Sequence, residues 1–149
     1  MVKEDFRFHT KLRVRWSECD AQGIVFNGAY QNYLEVVQAE YFRNLGIALY
    51  DESSRKHFDT ATVKITLEFI APARIDDILE VYCRFVSIGN TSLTSQYELY
   101  TKKADQLVHR AEVVHVDYDA GEHKARPVPD GLRCLIETFE STGDILPLK

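Results

Sequence analysis

The chain has 149 residues, of which 45% are hydrophobic and 28% are charged. This length and composition predict a single globular domain over 1–149, able to bury roughly two-thirds of its unfolded surface. The net charge of −5 provides no basic field for a nucleic-acid backbone, which argues against binding to DNA or RNA.

No segment that would direct the chain to a membrane or a secretory route is predicted. The first residues carry charges of both signs without the apolar stretch of a signal peptide, and no apolar run approaches the ~20 residues of a membrane helix. Three cysteines, Cys19, Cys83 and Cys134, are an odd number without zinc-type spacing. We therefore expect free thiols and a cytoplasmic location.

The first third of the chain predicts a strand, a loop and a long helix. Residues 6–15 place apolar side chains at even positions, which favours a strand, and 17–27 are expected to form a loop. From 28 to 45 the apolar residues recur at helical spacing, and Gly46 is placed to end the helix. This helix is long for a small domain, so its apolar face must pack on a large partner.

Four strands and a short helix are predicted downstream. Strands are expected at 60–70, 78–87, 92–101 and 106–118, with a turn at 89–90 and another at 102–105. One apolar and one polar face are typical of an antiparallel sheet. A terminal helix is expected at 131–140, with Asp130 as its N-cap. The residues predicted to share an apolar face are Ala61, Val63, Ile65, Leu67 and Phe69 in the first of these strands, and Val108, Val114, Val116 and Tyr118 in the last.

The segment 16–35 carries the main functional indication. Asp20 lies seven residues before Asn27 and eight before Gly28, where the helix is expected to begin, and Gly23 can adopt a positive φ that turns the chain back. N–H groups in the first helical turn have no intrahelical partner and lie at the positive end of the helix dipole, so they stabilise an oxygen that gains negative charge. The alternative is that Asp20 is a solvated loop residue or caps the helix.

The same segment resembles the hotdog-fold thioesterases of the 4-hydroxybenzoyl-CoA thioesterase type. The bend 71–77 and the closing segment 116–129 are also similar to parts of that family, so the resemblance covers nearly the whole chain. It implies an α+β hotdog fold, in which a five-stranded antiparallel sheet wraps one long central helix and a short C-terminal helix follows. The positions that match the family motif are Asp20, Gly23, Val25, Phe26 and Tyr30.

This resemblance implies an acyl-CoA thioesterase with Asp20 as the catalytic residue. Asp20 either attacks the thioester carbonyl and forms a mixed anhydride, or activates a water as general base. The N–H groups near Asn27 and Gly28 are implied to bind the oxyanion. Relatives that act on short acyl or aromatic thioesters often have Tyr or His in place of Asn27 and Asn in place of Ala29, so the substrate preference stays open.

Residues implied to contact the substrate lie in two places. Glu35 on the helix is a second carboxylate, which either serves as a base or pairs with a neighbour. Tyr30 either lines the acyl pocket or belongs to the hydrophobic core. The turn 89–92 is implied to lie near the nucleotide of coenzyme A, because its N–H groups and hydroxyls suit phosphates. The candidates for substrate contact are Val25, Phe26, Tyr30 and Glu35 on and before the helix, and Gly89, Asn90, Thr91 and Ser92 near the nucleotide.

Other chemistries have weaker support in the sequence. The five histidines form no metal-binding pattern, so we expect neither a metal nor a cofactor, coenzyme A being part of the substrate. Neither a Gly-rich phosphate loop nor a Gly-x-Ser-x-Gly motif is present. Cys19 has no nearby histidine, and the adjacent Asp20 would raise the pKa of its thiol, which disfavours a cysteine nucleophile. Glu18 is expected to be a solvated loop residue.

Two alternatives from other functional classes remain. A hydroxyacyl-thioester dehydratase on the same fold needs a catalytic histidine, and 16–35 contains none. A non-catalytic acyl-CoA-binding module would keep the helix N-terminus without needing Asp20. The thiol carrier is coenzyme A or acyl carrier protein, of which the acidic balance disfavours the second. We expect a homodimer or homotetramer, because the resemblance places the site between subunits and pairing covers exposed sheet edges.

Overall fold

The computed structural model describes residues 3–48 and 58–147. This part of the chain contains two α-helices and six β-strands, which follow the order strand, long helix, five strands, short helix. The helices are α1 (Asn27–Asn44) and α2 (Asp130–Thr142), and the strands are β1 (Phe8–Arg13), β2 (Thr60–Phe69), β3 (Ile78–Ile88), β4 (Ser92–Thr101), β5 (Gln106–Asp119) and β6 (Lys124–Arg126).

All six strands belong to one antiparallel sheet with the order β1-β3-β4-β5-β2, and β6 pairs with β5. One long helix against an antiparallel sheet, with a short helix after it, confirms the predicted α+β architecture. The three-residue β6 is an addition to the five predicted strands. Asp130 is the first residue of α2 rather than its N-cap, and Pro129 occupies the cap.

The helix α1 forms because its apolar residues recur every three or four positions and cover one face. It ends at Asn44, after which Gly46 adopts a left-handed φ of +86°. The N–H of Gly46 donates to the carbonyl of Arg43 and that of Ile47 to the carbonyl of Phe42, both at 2.9 Å, which satisfies carbonyls at the helix end. Within the described ranges, no helix is both long and apolar enough to cross a membrane.

Tyr41 joins both helices to the sheet. Its ring packs on Phe85 of β3 and Phe139 of α2, with ring centroids 4.9 and 5.6 Å away. Its hydroxyl donates to Glu140 Oε2 at 2.7 Å, and the N–H of Phe85 donates to the same oxygen at 2.8 Å. Burial raises the pKa of Glu140, and these two hydrogen bonds act in the opposite direction. The carboxylate thus fixes α2 against the sheet.

The inward face of β2 differs from the predicted one because the strand contains a β-bulge. Thr62 pairs with His115 of β5, and the regular pairing resumes after Val63, which has no partner of its own. A bulge adds one residue and exchanges the two faces of a strand. Thr60 and Thr62 therefore share a face with Ile65, and Val63 is 59% exposed. The prediction that Val63 belongs to the buried apolar face is wrong.

The strand β5 also carries a bulge, at Val108. Leu99 of β4 pairs with His109, and the next residue of β4 pairs with Leu107, so Val108 is left over. The prediction that Val114, Val116 and Tyr118 form a buried face is wrong, since they are only partly buried. The buried residues beyond the bulge are His109, Ala111, Val113, His115 and Asp117.

Two of these inward residues are histidines with buried ring nitrogens that lack hydrogen-bond partners in the described ranges. His109 is fully buried, and its ring stacks on Tyr30 at 4.2 Å between ring centroids. In the part of the chain that the structure describes, both ring nitrogens of His109 lack a hydrogen-bond partner. The same is true of Nδ1 of His115. Burial lowers the pKa of each imidazole to about 4, so both are neutral near pH 7.

These two histidines predict a loss of stability in mild acid. In the unfolded chain each histidine titrates near its ordinary pKa of about 6.5. Between this pH and pH 4 the unfolded state therefore binds more protons than the folded state. The stabilisation from each neutral imidazole is complete above pH 6.5 and is lost as the pH falls towards 4. Between pH 7.5 and 5 each histidine should lower the free energy of unfolding by about 2 kcal/mol.

The measurement is urea unfolding of the wild type and of His109→Phe at both pH values. The variant lacks one of the two groups, so its loss of stability between pH 7.5 and 5 should be smaller by about 2 kcal/mol. Glu140 and the other carboxylates contribute equally to both proteins. An identical pH dependence in wild type and variant would contradict the prediction.

Candidate active site

The loop before α1 holds Asp20 in a tight turn. The N–H of Gly23 donates to the Asp20 carbonyl, and the N–H of Asp20 donates to the Ile24 carbonyl, both at 2.9 Å. Gly23 has a φ of +78°, which a glycine adopts without strain. The Asp20 carboxylate accepts a hydrogen bond from the N–H of Gln22 at 2.8 Å and is otherwise exposed. Its position is therefore set by backbone contacts.

Glu18 anchors this loop to the helix. Its Oε1 accepts hydrogen bonds from the N–H of Arg15 at 2.7 Å and from the Tyr33 hydroxyl at 2.9 Å. Its Oε2 lies 3.0 Å from Arg15 Nη2, and its carbonyl accepts the N–H of Phe26 at 3.1 Å. Burial by itself would raise the pKa of Glu18, but these hydrogen bonds outweigh burial and lower it. The expectation of a solvated Glu18 is wrong.

The bend 71–77 holds the loop from its other side. The N–H of Val25 donates to the carbonyl of Ala73 at 2.9 Å, and Ile24 forms a β-bridge with Arg74. Ala73 is fully buried, and Asp77 accepts the N–H of Arg74 at 2.8 Å, which fixes the bend itself. The chain that carries Asp20 is thus bound on both sides.

The helix α1 begins with two free donors. Phe26 is the N-cap, and its side chain makes no cap hydrogen bond. In the described ranges, no carbonyl or side chain accepts a hydrogen bond from the N–H of Asn27 or Gly28. A Cβ at Gly28 would lie 2.9 Å from the Phe26 ring, so a glycine keeps this helix start open. These exposed N–H groups can bind an oxygen that carries negative charge.

A groove of about 530 Å³ follows α1 beyond its first turn. We call it the α1 groove. One wall is the polar side of α1, from Gln31 to Gln38, and Glu35 lies on this wall. The opposite wall is the inward face of β2 and β5, and it includes Asp59, Thr60, Thr62, Ile65, Val113 and His115.

The thiol of Cys19 is not poised as a nucleophile. Burial raises its pKa, and the neighbouring charges of Asp20 and Glu18 act in the same direction. A thiol in this setting stays protonated at neutral pH, whereas the thiolate is the reactive form. In the portion of the chain that is described, no group of three or more His, Cys, Asp and Glu side chains is placed to hold a metal ion.

The predicted site residues are distributed over three places. Asp20 in the loop before α1 and Phe26, Asn27 and Gly28 at the helix start are all exposed, and Glu35 lies in the α1 groove. Val25 and Tyr30 are only 6% and 3% exposed, and burial raises the pKa of Tyr30 to about 12. Their contact with a substrate stays a prediction.

The turn 89–92 lies far from Asp20 within one chain. It follows the end of β3, whereas the loop before α1 packs against the bend that precedes the start of β3. Eleven residues of strand separate the two ends, a length of about 35 Å at the usual rise. Arg133 of α2, which the sequence did not indicate, holds this turn by donating to the carbonyls of Ile88 and Gly89 at 3.3 and 2.9 Å.

Comparisons with known proteins find relatives among thioesterases. The chain is 28% identical over 125 residues to the acyl-CoA thioester hydrolase YbgC of Escherichia coli, covering 84% of this chain and 92% of the relative. It is 28% identical over 140 residues to the chloroplastic acyl-acyl carrier protein thioesterase ATL3 of Arabidopsis thaliana, covering 92% of this chain and 72% of that protein.

Solved structures share the fold. A thioesterase from Thermus thermophilus, complexed with coenzyme A and Zn, superposes with a TM-score of 0.79 at 22% identity, over 97% of this chain and 99% of that chain. A 1,4-dihydroxy-2-naphthoyl-CoA thioesterase from Synechocystis gives a TM-score of 0.77 at 22% identity, over 85% and 92%. The expected hotdog fold is thereby confirmed. Residues 14–134 match the sequence profile of the thioesterase-like superfamily, and the chain belongs to that family.

Proposed function

We propose that the protein is an acyl-CoA thioesterase whose reaction takes place at the start of α1. The observation that carries this proposal is the combination of an exposed carboxylate on a fixed turn, Asp20, with two free N–H groups at the helix start, Asn27 and Gly28. The YbgC relatives, which are named acyl-CoA thioester hydrolases, align over 92% of their length. This combination supplies an attacking group and a site for the oxyanion.

The proposed reaction needs little acid assistance. The thioester carbonyl oxygen accepts hydrogen bonds from the N–H groups of Asn27 and Gly28, which stabilise it as it gains charge. Asp20 either attacks the carbonyl carbon or removes a proton from a water that attacks it. The C–S bond then breaks, and coenzyme A leaves as a thiolate with a pKa of about 8.5 and takes up a proton from solvent. In the direct route, water afterwards hydrolyses the anhydride on Asp20.

Coenzyme A is the proposed carrier, and the cytoplasm is the proposed location. The net charge of −5 disfavours an acidic carrier protein as partner. Cys19, Cys83 and Cys134 are all free thiols, which suits a reducing compartment. No metal or separate cofactor has a role in this scheme.

A homodimer or homotetramer is the proposed assembly. In the described ranges β2 pairs with β5 alone, and its outer edge carries exposed apolar residues, among them Val63 (59%) and Phe69 (53%). A ten-residue strand with a free edge is a template for pairing with a second chain. Antiparallel pairing reverses the direction of the partner, and so would bring the partner's turn 89–92 towards Asp20.

Replacement of Asp20 by asparagine should abolish most of the activity. The amide keeps the shape and the hydrogen bond from Gln22, but it neither attacks a carbonyl nor accepts a proton, so turnover should fall by at least about a hundredfold. The measurement is thiol release from a panel of acyl-CoAs, followed with a colorimetric thiol reagent. Single turnover in ¹⁸O water tests the direct route, since label enters Asp20 only if Asp20 attacks the thioester and water then hydrolyses the anhydride at the Asp20 carboxyl carbon.

Glu35→Gln is the matched control for the Asp20 variant. It neutralises the other candidate carboxylate, which lies in the α1 groove, and should reduce turnover far less than Asp20→Asn. If the two variants were reversed in severity, Glu35 would be the base. If the wild type released no thiol but were still stabilised thermally by acyl-CoA, the non-catalytic binding module would be correct.

The backbone N–H of Asn27 can be removed without removing the helix. Proline is well tolerated at the first helical position, and the extended conformation of Phe26 (φ −80°, ψ 159°) is the one that a residue before proline adopts. Asn27→Pro should therefore fold and should lower kcat by about 10²–10³-fold through loss of one oxyanion donor.

Asn27→Ala controls for the side chain, because it keeps the N–H and removes the amide. We expect its kcat to stay within about fivefold of wild type, a change small beside the loss of an oxyanion donor. Circular dichroism would verify the helix in both variants. Equal activity of Asn27→Pro and wild type would exclude this N–H from the oxyanion site.

The assembly is tested by placing a charge on the free edge of β2. Val63→Lys should convert the oligomer to a monomer in light scattering, because a lysine on an edge strand opposes pairing. Ile145→Lys is the control, since Ile145 is similarly exposed (50%) but lies beyond α2. A wild type that is monomeric at micromolar concentration would contradict the proposed assembly.

A further inference from the structure

The α1 groove has an inward polar wall that the sequence pattern hides. The bulge at Val63 turns Thr60 and Thr62 towards α1, in place of the apolar residues that simple alternation would put there. Thr62 pairs directly with His115, and both line the groove. Ile65 and Val113 lie on the same wall, but its hydroxyls and imidazole require hydrogen-bond partners when a ligand buries them, and a plain hydrocarbon chain supplies none.

His115 is the least satisfied group of this wall. It is 3% exposed, and in the described ranges its Nδ1 has no hydrogen-bond partner. Asp117, two residues further along β5, uses one carboxylate oxygen to accept the N–H of Asp59 at 3.0 Å and to pair with Arg126 at 3.1 Å, and its other oxygen has no hydrogen-bond partner in the described ranges. His115 differs from Asp117 in lining the α1 groove, so a group bound in the groove can lie against its imidazole.

The charge in the groove defines what that group can be. Burial lowers the pKa of His115 to about 4, so the imidazole is neutral and forms a hydrogen bond rather than an ion pair. The acidic groups that line the groove with it are Glu35 and Asp59. No Lys or Arg is among the described residues of the lining, so a ligand carboxylate would find no cation there, whereas a hydroxyl or a ketone oxygen needs none.

We propose that the α1 groove binds the acyl part of the substrate, and that His115 hydrogen-bonds a neutral hydroxyl or oxo group at its distal end. This inference rests on the proposed thioesterase function. With a rise of 1.5 Å per residue, Gln31 to Gln38 lie about 6 to 16 Å along α1 from Asn27. A thioester carbonyl at the helix start therefore leaves room for an acyl chain of medium length whose far end reaches the polar wall.

The test compares two substrates of equal length, decanoyl-CoA and 10-hydroxydecanoyl-CoA. The wild type should hydrolyse the hydroxylated thioester with a kcat/KM at least about tenfold higher, because the hydrocarbon leaves buried polar groups unpaired. His115→Phe should remove this preference, mainly through a higher KM for the hydroxylated substrate. His115→Gln keeps a neutral hydrogen-bonding group and should retain part of the preference.

His109→Phe is the matched control. It removes a second buried, neutral histidine from the same strand that does not line the α1 groove, so it should change both substrates by the same factor. A wild type without preference, or a preference that survives in His115→Phe, would overturn the inference. If His115→Phe does not fold, His115→Gln decides by whether its ratio differs from wild type.

A direct binding measurement separates this inference from the thioesterase proposal. Calorimetry with 10-hydroxydecanoate and decanoate does not require turnover. If no thioester is hydrolysed but the hydroxy acid binds at least about tenfold more tightly to wild type than to His115→Phe, the thioesterase proposal is wrong and the proposed hydroxyl site at His115 is supported. If thioesters are hydrolysed and the two acids bind alike, the thioesterase proposal is supported and the proposed hydroxyl site is wrong.

Discussion

The start of α1 is not capped by a side chain, and the rest of the site depends on how the chain compensates for this. Such a helix start lacks the roughly 1 kcal/mol that a capping side chain usually contributes. Glu18 holds the helix from the side instead, because its carboxylate binds Tyr33 within α1 and Arg15 before the loop. The N–H groups of Asn27 and Gly28 consequently remain free in a part of the structure that is otherwise firmly held. The same contacts fix the position of Asp20, since its turn lies between Glu18 and the bend 71–77 that contains Ala73.

Periodicity predicted those elements in which one phase runs without interruption. In the part of β3 before its own irregularity at Val86, Leu79, Val81 and Cys83 are all fully buried, as alternation indicates, and α1 ends just before the glycine expected to end it. The bulges at Val63 and Val108 could not be predicted, because a single extra residue exchanges the faces of a strand without changing its composition.

In the candidate site, too, residues that are close in sequence could be predicted, whereas those that depend on distant contacts could not. Asp20 and the helix start are adjacent in sequence, so their pattern and the family resemblance both pointed to them. Glu18 was misjudged because its partner Tyr33 lies fifteen residues away. Its one local sign was the spacing of three residues from Arg15, at which an arginine and a glutamate can pair. His115 gave no sign at all, since a histidine among valines is indistinguishable from a surface residue when the face is misassigned.

β2 connects the two proposals physically, because the same strand forms a wall of the α1 groove and the free edge of the sheet. Ile65 belongs to that wall and is still 39% exposed in the single chain. A second chain paired along β2 would cover this side of the groove, exclude water from it and strengthen any hydrogen bond made inside it. The bulge at Val63 also increases the local twist of the strand, which limits the stretch of edge available for regular pairing. The same few residues of β2 would therefore determine both assembly and acyl selection, so a substitution that alters the oligomeric state should also alter the preference among acyl groups.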